Sequence, residues 1–209
     1  MMCTAIARLR SDEDGGVLVE ATVMLTILLT FMLGSVDFLM AMYQWNAATK
    51  AVQLGARIAS VSSPVSSDLS TLTGLGGGVN PGDPMPAFTR VCNGATATCS
   101  GGTFSATALN TIVYGRGNAA CGNATSAYDA GMCDVFARIA PANVVITYQH
   151  TGLGYAGRPG GPVPTIAVTL QNLPFQFYFL GGLMGFANIQ IAPIATVTGE
   201  DLSSSAPTT

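Results

Sequence analysis

Three sets of residues in this chain have types and spacings that could do chemistry. The first is Gly15-Gly16 followed by Glu20, a lone carboxylate inside an otherwise apolar run. A peptidase cut after Gly15 would make Gly16 the new N-terminus and Glu20 the fifth residue, about one helical turn from a terminal ammonium. A carboxylate inside a membrane costs about 2.5–3.5 kcal/mol at mid-bilayer and less near the interface. It therefore needs a counter-ion, which that amine of the same or a neighbouring subunit would supply, or it must take up a proton or, one turn inside the membrane, snorkel toward the headgroups. The second set is Cys92, Cys99, Cys121 and Cys133, an even number in a Ser/Thr/Gly-rich region, which reads as two disulfides in an oxidising compartment. Three connectivities are open; Cys92–Cys99 with Cys121–Cys133 closes the shortest loops and is the pairing expected. Zinc is disfavoured, because no CxxC pair is present and His150 is the single nitrogen ligand on offer. The third set, Gly152-Leu153-Gly154-Tyr155-Ala156-Gly157, spells G-x-G-x-x-G. Arg158, Pro159, Gly160, Gly161 and Pro162 follow and cannot open a helix, so a glycine-rich hairpin loop is expected in place of a phosphate cradle. His150 reads as a surface residue beside it. No triad or paired-carboxylate spacing occurs, and the expectation is a non-enzyme without metal or cofactor.

The elements that must position these residues follow from composition and period. The 209 residues are 49% apolar and only 9% charged, against about a quarter charged in ordinary soluble domains. A net charge of −3 with eight Lys and Arg leaves no basic stripe for nucleic acid. Val17–Val36 is apolar except for Glu20; at about 1.5 Å per residue it covers roughly 30 Å, one hydrocarbon core. It is too long for the h-region of a cleavable secretory signal, and no A-x-A site follows directly. From Asp37 to Ser60 there is no proline and a helical period persists, with Ala41, Trp45, Ala48, Val52, Gly55 and Ala56 forming a mostly small packing face. One helix over about 16–60 is predicted, its first half (17–36) in lipid and its second packed on protein. Arg8 and Arg10 before the span nearly balance Lys50 and Arg57 after it, so basic residues do not orient it.

Further along, 61–143 reads as a loop-rich, cysteine-containing region, with short helices expected at Ser105–Tyr114 and Asp134–Ile139. Alternation at Val144–Gln149, at Thr165–Gln171 and from Ile189 to Val197 predicts three antiparallel strands within 144–200, with Pro193 marking a bulge or an edge. Phe175–Phe186, at twelve residues, is too short for a second span and is expected to be a core-packing or membrane-surface connector. Residues 201–209 read as a disordered tail. The fold class expected is α+β: a long membrane helix running into a small domain with an antiparallel meander and disulfide-stapled loops.

The stretch from Gly15 to Ser60 resembles the N-terminus of TadE-like proteins, the pseudopilins or minor pilins of the Tad (Flp, type IVb) pilus. The resemblance rests on Gly15, Gly16 and Val19-Glu20-Ala21, then on Asn46-Ala47-Ala48 and Gly55-Ala56-Arg57. The leader here is acidic where the family's is usually basic. Thr165–Glu200 looks like the family's closing strands. The resemblance implies that residues 1–15 are a leader cut by a prepilin peptidase on the cytoplasmic side. It also implies a retained single-pass helix in the bacterial inner membrane and a pilin-like domain in the periplasm. Other pilin-like subunits, the Tad assembly machinery and membrane lipid are the expected partners, and Glu20 is expected to set subunit register. A membrane-anchored extracytoplasmic binding or adhesion module outside any pilus is the alternative.

Overall fold

A computed structural model describes residues 13–179, 181, 189–199 and 202 of the chain. The expected leader, except its last three residues, and the expected tail, except Leu202, lie outside the described residues, as does most of the second half of the 175–186 connector.

One helix, α1, runs over Glu13–Ser60. It contains no proline, and its four glycines are scattered enough that helix propensity is lowered without a break. It starts upstream of the expected position, so Gly15 and Gly16 lie within it. Its end is set by Arg57, a cation in the last turn, and by Ser60, whose Oγ donates to the Arg57 carbonyl; Pro64 follows shortly after.

By its internal contacts the chain divides into two units. The first holds α1 up to Met42 with the described residues from Gln176 to Gly181; the second holds Tyr43–Phe175 with the described residues from Ile189 onward.

In the second unit a five-stranded antiparallel sheet forms, in the order β2-β1-β3-β4-β5. The strands are β1 (Thr89–Asn93), β2 (Thr98–Cys99), β3 (Val144–Gln149), β4 (Thr165–Leu170) and β5 (Ile194–Thr198). Strands β3 and β4 alternate buried residues with half-buried or exposed ones, and register sets Ile146 opposite Val168 and Tyr148 opposite Ile166. The expected meander is thus β3-β4-β5. Two features correct the sequence reading. Residues 89–99, expected to be loop, supply two further strands, with the whole of β1 pairing to Val145–Gln149 of β3. The last strand begins at Ile194 instead of Ile189, because Pro193 lacks the N–H that a ladder needs and β5 starts directly after it, on the sheet edge.

The inner sheet face shares one core with α1. Ala48, Ala51, Val52, Ala56 and Ala59 from the helix are buried in the same cluster as Ile146, Tyr148, Ile166, Val168 and Leu170. The region 61–143, expected to have little core of its own, contributes Val65, Leu69, Leu109, Ile112, Val113 and Met132 to it. Helix α2 (Ala106–Tyr114) is N-capped by Ser105, whose side chain accepts from the Ala108 N–H, and turns Leu109, Ile112 and Val113 inward. The next helix, α3, is Met132–Val135, shorter and earlier than the expected 134–139.

Disulfides join Cys92 to Cys99 and Cys121 to Cys133. Cys92 and Cys99 are register partners across β1 and β2, so this bond fastens the two-residue edge strand. The second ties the loop before α3 to the helix itself. The Gly152–Gly157 motif lies in the β3–β4 hairpin loop, where Gly152, Gly154 and Gly157 all take positive φ.

Candidate assembly surface

The part of α1 in the first unit exposes its apolar side chains on every side, and none of its most apolar stretch is buried. A soluble helix of this length would bury a stripe of them. Length and composition make it fit to cross a membrane. Thr22, Thr26 and Thr30 each donate their hydroxyl to the carbonyl one turn back, so the row Thr22-Thr26-Thr30-Gly34 is small, close-approaching and already satisfied in hydrogen bonding. A shallow, almost wholly apolar groove runs beside Thr26, Thr30 and Gly34 toward Phe38.

Glu20 is exposed on this helix, on the same face as Gly16 four residues earlier. In the intact chain the Gly16 nitrogen is a peptide N–H, so an amine beside Glu20 arises only by cleavage. Of the expected packing face, Ala48, Val52, Gly55 and Ala56 are buried, Ala41 is half-buried and Trp45 is exposed with its ring stacked on Phe175 at 6.4 Å. Gly55 stands where a Cβ would meet the Met132 side chain, which explains a glycine within the helix.

Two polar clusters escaped the sequence reading. Asp37, read as the residue just past the span, is fully buried, and its two carboxylate oxygens accept the backbone N–H groups of Tyr178 and Phe179, each at 2.9 Å. In the second unit, the Arg138 guanidinium donates to Gln44 Oε1 and to the Pro174 carbonyl, both at 2.7 Å, while lying over the Phe136 ring. It thereby fastens the segment that precedes the 175–186 connector to α1. The only signal in the sequence was an acid adjoining an apolar run and one arginine in a polar-poor region.

His150 is not the surface residue expected. It is half-buried against Phe88, and its Nε2 has no hydrogen-bond partner. Tyr148 is wholly buried, its hydroxyl accepting the Val65 N–H at 3.0 Å, and burial pushes its pKa well above the ordinary phenol range. Among the described residues, no three His, Cys, Asp or Glu side chains gather as metal ligands would.

A family model described as TadE-like protein matches residues 15–57. Over that segment the chain is similar to TadE-like proteins. The segment spans about one fifth of the chain, from the Gly15-Gly16 pair through the bare apolar helix to the Gly55-Ala56-Arg57 run. The TadE-like match does not extend to Thr165–Glu200, where the sequence also looked similar. No curated protein and no solved structure matches the chain.

Proposed function

We propose that this chain is a minor pilin of a Tad-type pilus, held in the bacterial inner membrane by α1 with its disulfide-bonded domain in the periplasm. The observation that carries the reading is the coincidence of the TadE-like segment with a helix whose apolar residues are bare on every side. Prepilin peptidase cuts between Gly15 and Gly16. The new Gly16 amine, of this subunit or a neighbour, neutralises Glu20 and so sets the register between packed helices. The small row Thr22-Thr26-Thr30-Gly34 supports close helix–helix approach in lipid, where packing has to replace a hydrophobic driving force. Two disulfides support an oxidising compartment for the domain.

The experiment is the mass of the N-terminal peptide of membrane-extracted protein, from cells with and without active prepilin peptidase. The expected result is a chain beginning at Gly16 in the first and at Met1 in the second. An intact N-terminus in both defeats the reading in favour of a simple membrane-anchored binding module, which needs no cut.

A further inference from the structure

The sequence placed the outer edge of the span at Val36. The exposed apolar surface does not end there: Phe38, Leu39, Met40 and Met42 are all exposed, and the single polar side chain among them, Asp37, is turned inward and fully buried. The bare helix from Val17 to Met42 is therefore about 39 Å long, roughly 9 Å more than a hydrocarbon core. Tilt alone would have to reach about 40°, the extreme of the range seen for membrane helices, to hide it. The headgroup region has room for the excess, since core and interfaces together are about 40–45 Å thick.

The residues bound to Asp37 fit that depth. Non-helical backbone is tolerated at membrane level only where its polar groups are satisfied. The N–H groups of Tyr178 and Phe179 are satisfied by the Asp37 carboxylate, and the carboxylate by them. Their side chains point away into the open, Tyr178 at 63% and Phe179 at 45% exposure. Tyr178, an aromatic ring with one polar tip, is the kind of side chain that collects at the boundary between acyl chains and headgroups.

We infer that Asp37 and the Tyr178-Phe179 peptide form a second membrane contact, an interfacial clamp that seats Tyr178 and Phe179 in the headgroup–acyl boundary beside α1. The occupant of this surface is phospholipid. The bilayer edge then lies near Met42, not Val36, and Asp37 serves to dock Tyr178 and Phe179 within the interface. The inference rests on the membrane reading of α1, and the test separates the two.

The full-length chain is placed in phosphatidylethanolamine–phosphatidylglycerol vesicles doped with phosphatidylcholine brominated at a shallow or a deep acyl position. Trp45→Phe removes the native indole, and Tyr178→Trp places the probe. Shallow bromines are expected to quench the indole at position 178 roughly twofold, deep bromines less, and acrylamide little. Adding Asp37→Ala is expected to lose at least half of that lipid quenching and to gain acrylamide quenching, with Asp37→Asn intermediate. No lipid quenching at position 178 overturns the inference, whether acrylamide quenches (the connector is in water) or does not (protein covers it). Lipid quenching unchanged by Asp37→Ala overturns the role of Asp37. A second probe, Phe31→Trp with Trp45→Phe, reports on the span: quenched by deep bromines, it keeps the membrane reading even where the clamp fails, and unquenched, it sinks both.

Discussion

Gly55 is where the packing of α1 on its own domain can be tested by adding one methyl group. In a helix interior, alanine is favoured over glycine by about 1 kcal/mol. At Gly55 the added Cβ would lie 2.5 Å from the Met132 sulfur and 2.8 Å from its Cγ. Met132 is fully buried, so its side chain has no solvent to move into. The backbone behind it cannot retreat either, because Gly131 is already packed against the Gly115 backbone and Cys133 is held by its disulfide. Overpacking of this kind costs about 1–3 kcal/mol. Gly55→Ala is accordingly expected to destabilise the domain by about 1 kcal/mol net, the overpacking cost exceeding the propensity gain. In a Met132→Ala background the sign reverses: the methyl enters the vacated space and Gly55→Ala stabilises by up to about 1 kcal/mol, a coupling of about 2 kcal/mol across the cycle. The assay is urea unfolding of the full chain in mild detergent, followed through the fluorescence of Trp45, the single tryptophan. A wild-type background in which Gly55→Ala stabilises by its full propensity would refute the claim that α1 is wedged against α3.

Three further predictions follow from the same core. Tyr148→Phe leaves the buried Val65 N–H without its acceptor and should cost about 1–3 kcal/mol in the same unfolding assay. Because burial raises the Tyr148 pKa, the phenol's contribution is complete below its unfolded value of about 10 and is lost as pH rises beyond that; Tyr148→Phe should flatten the alkaline loss of stability measured over a pH series. Removing either disulfide, with loops of 7 and 12 residues, should lower stability by about 2–3 kcal/mol, and alkylation without reductant should label only Cys3 in the uncut chain and nothing in the cut one. Arg138→Ala removes two hydrogen bonds and its contact with Phe136, and should cost about 1–3 kcal/mol; Arg138→Lys should recover only part, since an ammonium cannot reproduce the planar fork that reaches both Gln44 and Pro174.

How far the sequence could be read depended on how local the deciding physics was. Helix α1 was legible because apolar run, small-residue period and absence of proline act within a few turns. Strands β3 and β4 were legible because their alternation is clean over six residues each. Strand β1, Thr-Arg-Val-Cys-Asn, was not: it buries only Cys92, and its strand state comes from pairing with β3, more than fifty residues on. Ile189 and Ile191 have a strand's alternation, but Pro193 defers the ladder to Ile194. The candidate surface divides in the same way. Gly15, Gly16 and Glu20 could be named because one short motif holds them. Asp37, Gln44 and Arg138 act through partners from 36 to 142 positions away, and nothing in their own neighbourhoods announces those pairings.

The central claim is that the bare half of α1 is an assembly surface between pilin-like subunits. It is tested most directly by placing the photo-crosslinker p-benzoylphenylalanine at Phe31, which is 77% exposed at mid-span, in cells assembling the pilus. The account predicts a covalent adduct with another pilin-like chain, lost when prepilin peptidase is inactive. Crosslinks to lipid alone, or adducts indifferent to the peptidase, would contradict it.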